Sequence, residues 1–298
     1  MTTKARIEVL IIVINVFLMH DLFAQNRETS VINDASFTEK IEKQADLRLK
    51  DKEWKIENLR KTIADLKETD RAQLSLPKPE TKGMTPEEIY EKRSKGTILV
   101  STYYNCGNCS KMHTSTASGA ILTEDGYAVT NYHVLENIIR GSKESKSRDS
   151  LVFIANRDGN IYRIADIIAY SGKADLAIFK IDTKGEKFSP VPLGIAASPG
   201  TRVHAITHPD SRYYFYSQGV VARNVAFNNL DADEDRMEIT ADYAKGSSGG
   251  PILDSCGNLI GLVSTTQSIY YVPNEQKDLQ MVIKSTVPVS AVKRLLKN

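Results

Sequence analysis

The chain has 298 residues, 41% of them hydrophobic, and 39 Lys and Arg against 37 Asp and Glu leave a net charge of +2. That length holds one large domain or two, each with its own core. Both signs of charge are mixed throughout, which excludes a basic nucleic-acid-binding surface as the organising feature.

Lys4 and Arg6 precede an apolar run, Val9 to Met19, and Leu22-Phe23-Ala24 then ends on a small residue before Gln25. The run is too short to cross a bilayer, which takes about 20 residues. Residues 1–24 therefore read as a secretory signal peptide cleaved after Ala24. The alternative is an uncleaved anchor on the outer side of a membrane. Either way the body is expected to be exported, to a periplasm or beyond the cell, where disulfides persist.

After a polar stretch, Asn26 to Asp34, the segment Ser36 to Thr69 has no Pro or Gly and is rich in Glu, Lys, Asp, Leu and Ile. Ile56, Leu59, Ile63 and Leu66 recur at 3-4-3 spacing, a coiled-coil-like seam. Leu49 lies one heptad before Ile56, Lys52 interrupts the seam, and Phe37, Ile41 and Ala45 follow a different frame. One long amphipathic helix is expected within a helical segment 25–76. It packs on a partner helix, a second copy or the main domain, or it stays solvated, and its removal is expected to leave a folded domain. Leu76 to Gly83 carries Pro77, Pro79 and Gly83, so 77–84 reads as a linker. Thr85-Pro86-Glu87-Glu88 is a capping box that opens a short helix ending near Gly96.

From Thr97 the chain reads as strands and turns. Thr97–Tyr103 is β-rich, and Ser118–Thr123 and Tyr127–Thr130 flank Asp125-Gly126, a hairpin signal. Leu151–Ala155, Ile161–Ile168 and Leu176–Ile181 continue the series. A second set follows: Arg202–Thr207, Tyr213–Arg223, Met237–Thr240, Pro251–Leu253, Leu259–Thr265 and Met281–Ser285. Pro288 to Lys297 reads as a closing helix. Many short, evenly spaced strands argue for an all-β barrel or sandwich across 85–298, in two halves.

Three stretches carry chemistry. In Gly246-Ser247-Ser248-Gly249-Gly250-Pro251 a serine hydroxyl sits in a glycine-rich loop whose backbone N–H groups can converge on an oxyanion. A plain glycine turn is the other reading of this stretch. His133, in Asn131-Tyr132-His133-Val134, lies at an expected strand end and is a candidate general base. His113, His204 and His208 read as surface or core histidines. Asp175 directly precedes the apolar strand Leu176 to Ile181. It reads as an orienter of the imidazole, or as a turn former.

The order His133, Asp175, Ser248, with the blocks Ser118 to Val134, Asp175 to Lys180 and Gly246 to Leu253, resembles the trypsin-like serine proteases, most nearly their bacterial HtrA-type branch. The resemblance runs from about Thr85 to the C-terminus and does not include the helix before Pro77. It implies a mainly β fold, two six-stranded antiparallel β-barrels preceded by the long helix. It also implies a serine endopeptidase in which His133 deprotonates Ser248, Asp175 orients His133, and the N–H groups of Gly246 and Ser248 form the oxyanion hole. No metal or cofactor is required, and polypeptides are the expected partners, with self-association through the helix as a further expectation.

Ser247 stands where trypsin-type zymogens have an aspartate, so activation by a freed N-terminus is not expected. A PDZ domain, which follows the protease domain in HtrA-type enzymes, is not expected either. Asp242, six residues before Ser248, occupies the position that sets basic specificity in trypsin-like enzymes. The surrounding residues resemble bacterial loops that take small apolar side chains, and Lys245 is placed to neutralise Asp242. Ser264, Thr265 and Thr266 are expected to pair with the substrate backbone.

Cys106-Gly107-Asn108-Cys109 is read as a local disulfide, with a redox pair or half of a metal site as the alternatives, His113 and Cys256 being conceivable further ligands. Cys256 is otherwise expected to be free. Two other functions compete with the endopeptidase. A catalytically silent scaffold has no need of all three catalytic residues. An esterase would place its serine in a strand-to-helix elbow, whereas Pro251 and an expected strand follow Ser248.

Overall fold

The computed structural model describes residues 31–140, 150–227 and 231–297. The expected signal peptide, 1–24, lies outside the described residues.

Among the described residues, twelve strands form two closed antiparallel barrels of six. The first takes β1 (Thr97–Asn105), β2 (Met112–Ile121), β3 (Tyr127–Thr130), β4 (Leu151–Ala155), β5 (Ile161–Ser171) and β6 (Leu176–Ile181), in the order β1-β2-β3-β6-β5-β4. The second takes β7 (Arg202–Thr207), β8 (Phe215–Val225), β9 (Arg236–Ile239), β10 (Pro251–Leu253), β11 (Leu259–Val272) and β12 (Lys277–Pro288), in the order β10-β11-β12-β9-β8-β7. Closure removes the exposed sheet edges that an open six-stranded sheet would leave. Inward side chains fill each barrel: Ile98, Ile121, Ile154 and Phe179 in the first, Val203, Val221, Ile252 and Val263 in the second. Each such side chain contributes roughly 1.5–3 kcal/mol by leaving water. The Asp-Gly signal marks the β2–β3 turn, where Gly126 has φ of +93° and its N–H donates to the Thr123 carbonyl at 3.0 Å.

The stretch Ser36 to Thr69 is not one helix. It comprises α1 (Asp34–Arg48), a 3-10 turn (Lys52–Trp54) that Asp51 caps, and α2 (Ile56–Thr62). The chain breaks at 49–51, and apolar residues on both sides of the break are buried. Leu59 and Ile63 join the core of the first barrel, and Ile56 and Leu66 pack against it. Ile41 and Ala45 are fully buried, the Phe37 ring lies 4.5 Å from that of Tyr213, and Asp46 accepts from the Tyr103 hydroxyl at 2.7 Å. The seam thus has its partner in the chain's own barrel, and the residues on which self-association was expected to rest are already covered.

The segment read as a linker, 77–84, and the chain just before it are both tied down. Ala72 exchanges two 2.8 Å backbone hydrogen bonds with Leu295 and Lys297. Glu80 and the Asn258 side chain exchange two more, at 2.7 and 2.9 Å. The described residues from Asp34 onward form one compact unit. The capping box opens α3 (Pro86–Arg93) as expected, with both reciprocal bonds of Thr85 and Glu88 present. A further helix, α4 (Tyr132–Ile139), follows β3, and α5 (Val289–Arg294) follows β12.

Candidate active site

His133 is not at a strand end; it is the second residue of α4. Tyr132, Leu135 and Ile138 recur every third residue and bury one face of that helix, which leaves His133 on the open side. Asn131 precedes the helix but does not cap it with its side chain, and its amide donates to the Asp175 carbonyl at 3.0 Å. This ties the start of α4 to the turn before β6.

Asp175 has φ of +57°, a left-handed conformation that aspartate tolerates better than most residues. From there its carboxylate reaches back across the barrel. The Nδ1 of His133 lies 2.9 and 3.0 Å from its two oxygens, and the His133 backbone N–H donates to Oδ1 at 3.1 Å. With Nδ1 donating, Nε2 is the free base nitrogen. The hydrogen bond to Asp175 lifts the His133 pKa above its ordinary value, against an opposing pull from partial burial.

Ser264 also reaches Asp175, its hydroxyl donating to Oδ2 at 2.7 Å. The sequence reading gave Ser264 a substrate-pairing role only. It lies on a bulge of β11, where the register with β12 passes from Val263 to Thr265. Thr265 and Thr266 pair with Ser285 and Lys284 of β12. The opposite edge of β11 pairs with β10 only as far as Leu262, and Val263 is met by the backbone of Gly249 and Gly250. Among the described residues, β11 has no strand partner on that side beyond Val263.

The loop that carries Ser248 is clamped between the barrels. Gly246 has φ of +96° and Gly249 of +80°. A Cβ on Gly246 would lie 2.5 Å from the His208 carbonyl oxygen, and one on Gly249 would lie 2.3 Å from that of Ser118. Ser118, on β2, holds the loop from the first barrel. Its N–H donates to the Ser248 carbonyl at 2.8 Å and its hydroxyl to the Gly246 carbonyl at 3.0 Å. Ser247 is fully buried and its hydroxyl lies 3.1 Å from that of Thr207. The N–H groups of Ser247, Gly249 and Gly250 donate to the carbonyls of Ala244, Val263 and Ser247. Those of Gly246 and Ser248 donate to no acceptor among the described residues. The Ser248 hydroxyl makes a long 3.5 Å bond to the Ser264 carbonyl and is not hydrogen-bonded to His133. Such a bond commonly tightens only when substrate is present.

Asp242 does not sit at the base of a pocket. Its carboxylate is 79% exposed and pairs with Lys284 Nζ at 2.7 Å. The partner is Lys284, not Lys245, and a cation already in place disfavours a second basic side chain there. A cleft of about 790 Å³ opens beside His133 and Asp175, lined also by Arg236, Glu238, Ser264 and Thr265.

Cys106 and Cys109 are free thiols at the exposed tip of the β1–β2 hairpin, their sulfurs 3.5 Å apart. His113 stands beside them, with Nε2 3.1 Å from Cys109 Sγ. Cys256 lies in the 254–258 turn, where its N–H donates to Asp254, and does not join them.

Residues 117–262 match the family model of the trypsin-like peptidase domain. The serine endoprotease DegS of Haemophilus influenzae is 31% identical over 163 residues, covering 53% of this chain and 43% of that protein. The chain spans less than half the length of the curated relatives it matches. Among solved structures, Deg5 aligns with a TM-score of 0.52 at 22% identity, covering 70% of this chain and 90% of that one. The HtrA-type protease AlgW with a decapeptide aligns at 0.51 and 20%, covering 70% and 64%. Residues 117–262 thus carry a trypsin-like peptidase domain, the double barrel agrees with it, and the chain is similar to serine proteases of the HtrA type.

Proposed function

We propose that the chain is an exported serine endopeptidase that hydrolyses peptide bonds through Ser248, His133 and Asp175. The observation that carries this reading is the hydrogen bond of Asp175 to Nδ1 of His133, at 2.9 Å. It sets the tautomer in which Nε2 can accept the Ser248 proton. Ser248 Oγ then attacks the substrate carbonyl carbon. The negative oxygen that forms is received by the unengaged N–H groups of Gly246 and Ser248. Loss of one such donor typically costs about 3 kcal/mol of transition-state stabilisation. Protonated His133 gives its proton to the leaving amine, and a water activated by the same nitrogen releases the acyl group.

The free edge of β11 at Ser264, Thr265 and Thr266 supports docking of an extended peptide as an added strand. Peptide in the AlgW neighbours is consistent with that substrate class. Export rests on the basic and apolar N-terminal stretch, and no helix among the described residues is long and apolar enough to cross a membrane.

The test is labelling by a fluorophosphonate probe of the folded protein, Ser248→Ala and His133→Ala. Labelling of the parent alone supports an assembled nucleophile and base. A folded parent that stays unlabelled would sink the endopeptidase reading in favour of a silent scaffold.

A further inference from the structure

The β1–β2 hairpin ends in three side chains that the proteolytic chemistry does not use. We propose that Cys106, Cys109 and His113 form a binding site for zinc. The ligand atoms of the three, two sulfurs and an imidazole nitrogen, all lie within 4.8 Å of one another. Cys106 Sγ to Cys109 Sγ is 3.5 Å, and Cys109 Sγ to His113 Nε2 is 3.1 Å. With bonds of about 2.3 Å to sulfur and about 2.0 Å to nitrogen, a tetrahedral zinc spaces its ligands by roughly 3.3–3.8 Å. These two pairs therefore need to shift by only a few tenths of an ångström. A disulfide would need its sulfurs at about 2.05 Å, would use two of the three groups, and would leave the imidazole without a role.

The hairpin is built to hold this arrangement. Its register is unbroken from Thr97↔Ala120 to Asn105↔Met112, which places His113 directly across from Tyr104. The two rings lie 5.8 Å apart, tilted by 37°, so Tyr104 backs the imidazole. Asn105 ties down the loop between the cysteines. Its Oδ1 accepts from Gly107 N–H at 2.7 Å and its amide donates to the Cys109 carbonyl at 3.3 Å. Gly107, at φ of +75°, lets the chain reverse between the two sulfurs. Two thiolates and one imidazole suit a borderline-soft divalent ion over calcium or magnesium. Binding converts both thiols to thiolates and releases their two protons. His113 binds through neutral Nε2, with its proton on Nδ1. Both cysteines are exposed, so the fourth coordination position is open to solvent.

The test is a cobalt titration of the fully reduced full chain carrying Ser248→Ala, followed by displacement with zinc. The expected result is visible absorption of tetrahedral, thiolate-ligated cobalt that saturates at one equivalent and is bleached by zinc. His113→Ala is expected to weaken binding by at least about tenfold, Cys109→Ser to remove the thiolate signature, and Cys256→Ser to titrate like the parent. The proposal is overturned if the parent, with its thiols shown to be reduced, gives no one-equivalent signal. It is equally overturned if His113→Ala, folded by circular dichroism, binds as tightly as the parent. The parent titration keeps the idea falsifiable should a variant fail to fold.

Discussion

His208 is the residue through which acid is expected to unfold this protein. It is fully buried between the barrels, where its Nδ1 accepts the Tyr214 N–H at 3.0 Å and the Tyr214 ring crosses it edge-on at 4.7 Å. A protonated ring would turn an N–H toward an N–H in a fully buried site. Burial pushes its pKa down to about 3. The unfolded chain titrates near 6.5, so between 6.5 and about 3 the unfolded state holds the extra proton. Stability from this group is therefore complete above pH 6.5 and is lost as pH falls toward 3. Two units below 6.5, at pH 4.5, the loss is about 3 kcal/mol, since each unit is worth about 1.4 kcal/mol. Urea midpoints of Ser248→Ala protein at pH 7.5, 6.5, 5.5 and 4.5 measure it, beside the same protein carrying His208→Asn. Asparagine keeps an acceptor for Tyr214 N–H but cannot titrate. Its cavity lowers stability equally at all pH values. The His208 protein is expected to lose about 3 kcal/mol more than the asparagine variant between pH 7.5 and 4.5. His133, whose pKa is raised, and His204, whose pKa burial lowers, titrate in both proteins and cancel in the difference. Parallel losses in the two proteins would refute the argument.

Ser264→Ala removes a hydrogen bond to the Asp175 carboxylate, worth about 1.5–3 kcal/mol of stability, so the urea midpoint is expected to fall accordingly and kcat/KM for a peptide substrate to drop as Asp175 loosens; an unaltered kcat/KM counts against a part for Ser264 in holding Asp175. Leu59→Ala opens space in the first barrel, where Leu59 is 4% exposed, and is expected to cost about 2–5 kcal/mol in urea unfolding. A loss below about 1 kcal/mol would show that α2 is not part of that core. kcat/KM is expected to rise with pH as His133 becomes neutral, with a midpoint above 6.5 because Asp175 favours the cation. The same ion pair stabilises the fold below pH 6.5 and less so as pH rises through the folded-state value. Asp175→Asn should both slow the reaction and move the midpoint down; an unmoved midpoint would remove Asp175 from its role as orienter.

What the sequence determined by itself is whatever depends on neighbours along the chain. Strands Tyr127–Thr130, Leu151–Ala155, Leu176–Ile181, Arg202–Thr207 and Pro251–Leu253 end where they were read to end. Turn residues and alternating side chains act over a few positions, and these five are bounded by them. The capping box of α3 and the Asp-Gly turn are local in the same sense. The blocks around His133, Asp175 and Ser248 were legible through their family resemblance, in their order, without any view of their geometry. Helix α4 was missed because its eight residues make little more than two turns, too few for a helical period to stand out beside the β-rich run before them. Only the tertiary structure decided the rest. Ser264 meets Asp175 across 89 residues, Ser118 meets Gly246 across 128, and Lys284 finds Asp242 across the β9–β12 side of the second barrel. The seam of Ile56, Leu59, Ile63 and Leu66 announced a buried stripe, but a stripe cannot name what covers it. The first barrel covers it here because closing that barrel leaves apolar surface that α2 is near enough to fill. Pairings of that kind have no period and no spacing in the chain. They exist only once both barrels have closed and brought the distant partners within reach.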